Sequence, residues 1–288
     1  MLDPALLLQT ALSGILLGAV YALLAGGLNL VFGVMRIINV AHADLMMLGA
    51  YNTFWLFSLA GVNPLLGLLA GLPVMFALGW VLQRFLVSRV VRSSELTSLL
   101  LTFGISIVLV NLALYLWTGD YRSVAYLSGS VVVGGMALSK VRLLGFAVAL
   151  AITTAVFLFL RWNPWGRAIR ATAQHPDLAL ACGIDVDRVR LGTFGLAAAL
   201  AGAAGSLISM MYSIYPEMGA FFLLKAFAII ILGGRGSFPG AFIGAVILGL
   251  IESFAALWTT ATHAEAAAYV MLILMLLLKP SGLLGEEE

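Results

Sequence analysis

Long apolar runs separated by short polar loops dominate the chain. Most runs are continuous over about 15–25 residues, close to the ~20 that an α-helix needs to cross a bilayer. A membrane β-barrel would instead alternate apolar and polar residues along each strand. The pattern therefore predicts an all-α polytopic membrane protein with about eight to ten transmembrane helices, one or two of them short or broken.

The apolar runs also give approximate helix positions. A glycine-interrupted run at 4–34 predicts either one tilted or bent helix or a helix followed by a half-helix. A polar segment at 118–140, rich in Gly and Ser, contains a β-like VVVGG sequence. We expect complete spans at 40–60, 64–83, 95–117, 141–160, 188–214 and 240–258.

One apolar run is short. Residues 219–232 would form a helix about 21 Å long, against a hydrocarbon core of ~30 Å. The sequence GGRGSFPG at 233–240 follows directly. Such breaks occur at membrane depth where they are buried in protein or line a water-filled cavity. The run therefore favours a broken helix, with a short tilted helix and a plain turn as the alternative.

Composition supports a membrane protein. Hydrophobic residues make up 62% of the chain and charged residues 10%, with a mean hydropathy of +1.10. A soluble domain has about a quarter charged residues. The net charge of +2 gives no indication of nucleic-acid binding, and the single cysteine, Cys182, excludes an internal disulfide. Since no Lys or Arg precedes Arg36, we expect no cleaved signal peptide, and residues 1–288 are interpreted as one transmembrane domain.

The most polar segment of the chain lies at 161–190, between two apolar runs. Asn163-Pro164 and His175-Pro176 are helix-start signals, and Gly183 is a stop signal. We expect helices at 164–174 and 176–182, with Asp185 or Asp187 capping the next span. The segment is either a docking element for another protein or an ordinary basic loop on the cytoplasmic side.

The basic residues also indicate orientation. The loops at 84–94 and 161–190 are basic, and two predicted spans separate them, so both lie on the same side. Lys and Arg concentrate on the cytoplasmic side of membrane proteins. This places the 161–190 loop and the C-terminus, which ends in three glutamates, in the cytoplasm.

Two charges interrupt the apolar sequence near the C-terminus. Lys225 and Glu252 lie at similar distances on either side of the 233–240 break. If the flanking helices are antiparallel, the two charges reach similar depth, and an unpaired lysine there would cost at least ~2.5–3.5 kcal/mol. We predict that Lys225 and Glu252 face each other or share one polar space.

A second polar cluster follows the first apolar run. Asn39, His42 and Asp44 lie beside apolar membrane sequence, where polar groups tend to face a cavity or another subunit. A short polar turn at the membrane surface is the alternative. The early stretch and the stretch around 233–240 are both a helix, a glycine break and a helix, which suggests a repeated membrane unit.

The sequence lacks the signs of an enzyme. It contains no P-loop pattern and no G-x-S-x-G nucleophile elbow. His42 and Asp44 are two residues apart, which is the wrong spacing for one helix face, so we expect no metal site. Catalysis by this chain has no candidate residues.

Three stretches carry a resemblance to a known family. They are GLNLVFGVMRIINVAHADLMMLGAY, GRAIRATAQHPDLALACGID and ILGGRGSFPGAFIGAVILGLIE. The chain resembles the permease subunit of ATP-binding-cassette importers for branched-chain and related amino acids, and within them the shorter permease partner. The likeness covers nearly the whole chain.

The resemblance implies a cytoplasmic coupling loop at about 162–186 that docks in a groove of an ATPase subunit. Its candidate residues are Arg167, Ala168, Arg170, Ala171, Asp177, Ala181, Gly183, Ile184 and Asp185. The acidic position of the family pattern is shifted here, to Asp177. The resemblance also implies a translocation path along Asn39, His42, Asp44, Gly233, Gly234 and Gly236.

The resemblance further implies partners and a location. It implies a second, homologous permease, two ATPases that bind ATP and Mg²⁺, a periplasmic binding protein and the bacterial inner membrane. This chain itself would bind no cofactor. The substrate stays open among branched-chain amino acids, other amino acids, urea and short amides. The alternative is a stand-alone secondary transporter or channel, which would have no ATPase to dock.

Overall fold

The computed structural model describes residues 4–91, 93–234, 236–259, 261–279 and 282–283. Within these ranges the regular secondary structure is helical apart from one short β-hairpin, β1 (Ser130–Val133) and β2 (Met136–Ser139). The helices are α1 (Pro4–Met35), α2 (His42–Ala60), α3 (Pro64–Phe85), α4 (Glu95–Trp117), α5 (Lys140–Trp162), α6 (Pro164–Gln174), α7 (Pro176–Ala181), α8 (Val186–Ile208), α9 (Met218–Gly233), α10 (Phe238–Trp258) and α11 (Ala261–Leu278).

Among the described residues, six helices are long and apolar enough to cross a membrane, fewer than the eight to ten predicted, and α2, at the predicted span 40–60, is not one of them. They are α1, α4, α5, α8, α10 and a span that joins α3 to the 3₁₀ turn Val87–Arg89. Helix α9 is apolar but has 16 residues, a length of about 24 Å. The predicted all-α polytopic class, with a short broken helix, is confirmed. The 4–34 run forms the single helix α1.

Helices α1 and α8 form the centre of the bundle. In an apolar 18-residue stretch of each helix, 89% of α1 and 83% of α8 is buried inside the protein. The corresponding share for α3, α4 and α5 is 28% or less. Small residues allow these two helices to pack closely on their neighbours. An added Cβ at Gly14 would lie 2.8 Å from the Gly249 carbonyl oxygen of α10, and one at Gly205 of α8 would overlap the Met46 carbonyl oxygen of α2. The outer helices therefore present most of the apolar surface that faces lipid or another subunit.

One predicted span ends earlier than expected. The 188–214 run is helical only to Ile208, although residues 209–214 are mostly apolar. Arg122 and Ile214 exchange two backbone hydrogen bonds of 2.9 and 2.7 Å, and Val124 N donates to Ser209 O. These hydrogen bonds to the 118–128 loop use backbone groups of Ser209 and Ile214 that would otherwise bond within a longer α8.

The β-hairpin lies at the start of α1. Its strands pair antiparallel with Ser130 opposite Ser139. Gly134 and Gly135 have φ of +59° and +82°, as a two-residue hairpin turn with both central residues left-handed requires. The Gln9 side chain accepts a hydrogen bond from Ala137 N. The hairpin and the start of α1 thus belong to the same end of the bundle.

The basic loops lie at the opposite end. Residues from the end of α1, the 91–98 segment, α6 and the start of α8 line one common cavity. The structure thus brings Arg36, the 86–94 loop and the 161–190 segment together, as the two-span separation predicted. Arg92, Arg235 and residues 286–288 lie outside the described residues.

Candidate functional site

Helix α6 is held against α5 by one glycine. The side chain of Asn163 accepts a hydrogen bond from Trp165 N at 2.9 Å, and Pro164 occupies the first helical position. Gly166, Ile169 and Thr172 are buried along one face. A Cβ at Gly166 would overlap the backbone of residues 159–160, so only glycine fits there without displacing α6.

Helix α7 continues the segment and ends in a glycine. Gly183 has φ +83° and donates to Leu180 O, a left-handed helix end that disfavours other residues. His175 is exposed and stands at the N-cap of α7, as the His175-Pro176 signal predicted, although its side chain makes no capping hydrogen bond. Ala179 is buried, while Leu178 and Leu180 are each 62% exposed. The α6–α7 pair is therefore a compact hairpin with apolar side chains on its outer surface.

The predicted coupling residues form one continuous segment. Asp185 caps α8, since its Oδ1 accepts from Arg188 N at 3.0 Å. Sequence reasoning missed Trp165, Leu178 and Leu180, which are exposed apolar side chains inside a charged loop. Arg167, Arg170, Asp177, Ala181, Gly183 and Asp185 are exposed, and Ala168, Ala171 and Ile184 are half-buried.

The first helix break lies between α1 and α2. Arg36 has φ +54°, and residues 36–41 are not helical. One threonine of α4 binds this segment, because Thr102 Oγ1 accepts from Val40 N at 3.2 Å and donates to Ile38 O at 2.9 Å. Thr102 was missed by sequence reasoning. It satisfies backbone groups that lipid could not satisfy.

The predicted path residues of this break are buried. Asn39, His42 and Asp44 are 2% exposed or less. His42 Nε2 lies 3.0 Å from the Leu24 carbonyl oxygen, in the interior of α1. Among the described residues, both amide atoms of Asn39, Nδ1 of His42 and Oδ2 of Asp44 have no hydrogen-bond partner. Nearly all buried polar groups in folded proteins are paired, so these four atoms form an unusual concentration of unused hydrogen-bonding capacity.

The second break joins α9 to α10. Gly234 and Gly236 have φ of +102° and +78°. Asn29 of α1 clamps the break, because its Oδ1 accepts from Gly236 N at 2.7 Å and its Nδ2 donates to Ser237 O at 2.8 Å. A Cβ at Gly233 would overlap the Gly240 backbone, so the two helices cross very closely.

Both breaks rest on the same stretch of α1. A Cβ at Gly27 would lie 3.1 Å from the His42 ring, and Asn29, two residues later, binds the second break. Gly33 lies one turn further and faces Gly236. The predicted path residues Asn39, His42, Asp44, Gly233, Gly234 and Gly236 therefore belong to two segments that share α1 as a common wall.

The structure pairs the two charges near the second break. Lys225 Nζ lies 2.6 Å from Glu252 Oε1, with the two side chains 1% and 12% exposed. The ammonium also donates to the Tyr21 hydroxyl at 3.1 Å and lies 4.3 Å from the centre of the Phe221 ring. Tyr21 was missed by sequence reasoning because nothing in the sequence places α1 beside Lys225.

No cluster of three or more His, Cys, Asp or Glu that could hold a metal ion occurs within the described ranges. The chemistry of the site is therefore that of hydrogen bonds, one buried ion pair and helix breaks.

The chain is similar to known transport proteins over almost its full length. Residues 10–279 match the family model described as branched-chain amino acid transport system, permease component. The high-affinity branched-chain amino acid permease LivH of Escherichia coli is 32% identical over 98% of this chain and 96% of its own length. The permease BraD of Pseudomonas aeruginosa has the same identity and coverage. The probable permease LivH of Methanocaldococcus jannaschii is 29% identical over 91% of this chain and 88% of its own. This multi-pass membrane protein belongs to the family of branched-chain amino acid transport permease components.

Proposed function

We propose that this chain is a membrane-spanning subunit of an ATP-driven importer for branched-chain or related amino acids. It would lie in the bacterial inner membrane, beside a second, homologous permease. A periplasmic binding protein would deliver the substrate, and two ATPase subunits would bind ATP and Mg²⁺ and hydrolyse the ATP. The family match and the six apolar helices support this assignment. The chain would bind no cofactor and catalyse no reaction of its own.

The main support for the proposal is the tight attachment of the α6–α7 hairpin to the membrane helices on either side of it. Gly166 fixes α6 tightly against the end of α5, and Asp185 caps α8 directly after the hairpin. Helix α8 is one of the two central helices. An ATPase that moves the hairpin would therefore move α5 and α8 as well. The exposed Leu178 and Leu180 offer an apolar surface for docking, and Arg167 and Arg170 are exposed on the preceding helix α6.

The transport path would run along the two helix breaks. Transporters use broken helices near the substrate, where free backbone groups and polar side chains replace the hydration of the solute. The unpartnered groups of Asn39, His42 and Asp44 offer both donors and acceptors, as a zwitterionic amino acid requires. They are buried in this conformation, so exposure would need a rearrangement between facing states. ATP binding drives such a rearrangement only if it favours one state over the other.

The proposal also fixes orientation. The α6–α7 hairpin and the basic loops would face the cytoplasm, in agreement with the excess of Lys and Arg at that end. The hairpin at 130–139 would face the periplasm, where the binding protein docks. The C-terminus would be cytoplasmic.

Co-purification and uptake test the proposal together. The chain is solubilised gently from its native membrane, and co-purifying proteins are identified. We expect two ATPase subunits, a second permease and ATP-dependent amino acid uptake after reconstitution. A chain that purifies alone and moves solute without ATP would refute the proposal in favour of a secondary transporter.

Two substitutions test the docking role. Ala171→Glu places a charge at a half-buried position of α6. Gly183→Trp places a large side chain on a backbone whose φ of +83° favours glycine. We expect both variants to remain folded but to lose ATP-driven uptake. Arg89→Gln, a neighbouring exposed position outside the hairpin, is the control and should retain uptake. Normal uptake by both hairpin variants would exclude the docking role.

A further inference from the structure

Two cavities flank Arg190 at the basic end of the bundle. The larger has a volume of about 350 Å³ and lies between the end of α3 and the start of α8. The smaller has a volume of about 240 Å³ and lies between the ends of α1 and α6 and the first turn of α4. Val91 and Arg190 line both. A single water needs only ~10–15 Å³, so each cavity has room for a larger group.

The smaller cavity is lined by a buried hydroxyl that has no hydrogen-bond partner in the described part of the chain. Thr172 is 1% exposed and lines it, and its hydroxyl has no partner among the described residues. The Nε of Arg190 is also buried and lacks a partner in the same ranges. In the larger cavity the corresponding buried atom, Oε1 of Gln83, is an acceptor. Arg190 lines both cavities, so the difference between them, within the residues described, is the free hydroxyl of Thr172 in the smaller one and the free acceptor of Gln83 in the larger one, and the smaller cavity suits an acceptor better.

The charge around the smaller cavity favours an anion. Arg36 and Arg190 line it together with one carboxylate, Glu95. Asp187 pairs with Arg190 at 3.3 Å, but its side chain is 72% exposed, so solvent weakens that pair. The first turn of α4, which includes Ser98 in the wall, adds the partial positive charge of a helix start. The walls thus retain positive charge and, in the described ranges, one free hydroxyl donor, that of Thr172.

We propose that the smaller cavity binds a phosphate group. Arginine guanidinium groups bind phosphate oxygens through short, charge-assisted hydrogen bonds, and the unpartnered hydroxyl of Thr172 can donate to a further oxygen. The cavity lies at the end of the membrane helices, the depth at which lipid headgroups are found, and basic pockets between helices bind anionic headgroups. The phosphate belongs either to an anionic lipid headgroup or to free phosphate in solution.

The location gives the bound phosphate a mechanical role. The cavity walls come from α1, α4, α6 and the start of α8. A phosphate held there connects the α6–α7 hairpin to α4, a helix that otherwise contacts it little. The occupant therefore stabilises one position of the hairpin relative to the bundle.

Thermal stabilisation of the full chain in detergent tests the site. The probes are phosphatidylglycerol, phosphatidylcholine with the same acyl chains, and inorganic phosphate. The variants are Arg36→Gln, Arg190→Lys and Thr172→Val. Arg89→Gln is the matched control, because Arg89 is exposed, lies in the same end of the bundle and lines neither cavity.

We expect phosphatidylglycerol to raise the melting temperature of the wild type and of Arg89→Gln. Loss of one charge-assisted hydrogen bond should weaken its apparent affinity on the order of tenfold in Arg36→Gln and Arg190→Lys. Competition by inorganic phosphate would identify the free anion as the occupant. If Arg190→Lys does not fold, the exposed Arg36 still provides the test. Equal stabilisation by phosphatidylcholine, or equal weakening in Arg89→Gln, would overturn the proposal.

Discussion

Removal of the Lys225 ammonium tests the energetic role of the buried ion pair. The substitution Lys225→Met keeps an unbranched side chain but removes the contacts with Glu252 at 2.6 Å and with the Tyr21 hydroxyl at 3.1 Å. The carboxylate of Glu252 is then left 12% exposed without its cation. Breaking a buried pair from one side costs about 3–5 kcal/mol. We expect the free energy of unfolding to fall by about that amount.

Removal of the opposite charge should cost less. In Glu252→Gln the ammonium of Lys225 keeps the Tyr21 hydroxyl and the Phe221 ring, whose centre is 4.3 Å away. A desolvated cation over an aromatic face gains up to about 2 kcal/mol, which offsets part of the loss. The double variant Lys225→Met/Glu252→Gln leaves no buried charge and should recover most of the stability, because apolar or neutral replacements of buried pairs are often neutral.

Thermal unfolding in detergent measures these differences. For a chain of this size, 1 kcal/mol corresponds to a change of about 2–4 °C in melting temperature. Lys225→Met should therefore melt on the order of 10 °C below the wild type, and the double variant close to it. Charge exchange, Lys225→Glu with Glu252→Lys, should restore uptake that either single exchange abolishes. A wild-type melting temperature for Lys225→Met, or a double variant less stable than both single variants, would refute this reasoning.

Three further substitutions test the segments around the path. Gly166→Val should displace α6 from α5 and reduce ATPase co-purification severalfold, whereas Gly104→Val, at a helical glycine with open space around it, should not. Asn29→Leu removes the three hydrogen bonds that this side chain makes to the second break and should lower stability by about 2–3 kcal/mol, measured by thermal unfolding. An unchanged melting temperature would contradict the clamp. Thr102→Val leaves Val40 N and Ile38 O without their partner, and we expect faster hydrogen exchange in residues 36–41, with no change if α4 does not hold that segment.

Local signals predicted the α6–α7 hairpin well. Asn163-Pro164 and Gly183 determine backbone geometry within a few residues, so the sequence alone locates both helices. Spacing also predicted the approach of Lys225 and Glu252, since two antiparallel helices around one break bring equidistant residues together. The role of these residues in transport stays a prediction.

Contacts between distant parts of the chain were not predictable in this way. Asn29, Thr102 and Tyr21 are polar residues in mainly apolar helices, and each binds a segment far away in sequence. The end of α8 at Ile208 likewise depends on pairing with residues 122–124. Apolar composition at 209–214 favours a longer helix, and only the tertiary partner decides otherwise.

The central position of α1 has a consequence for biogenesis. Its small residues pack closely on α10, as at Gly14 against Gly249 and Gly18 against Ala245. These partners are more than two hundred residues apart, and ribosomes add about 5–20 residues per second. Helix α1 therefore waits in the membrane for at least ~10 s with its packing surface facing lipid or a chaperone. A late-arriving partner makes the native bundle depend on rearrangement after insertion, so defects in α10 should expose α1 to membrane quality-control proteases.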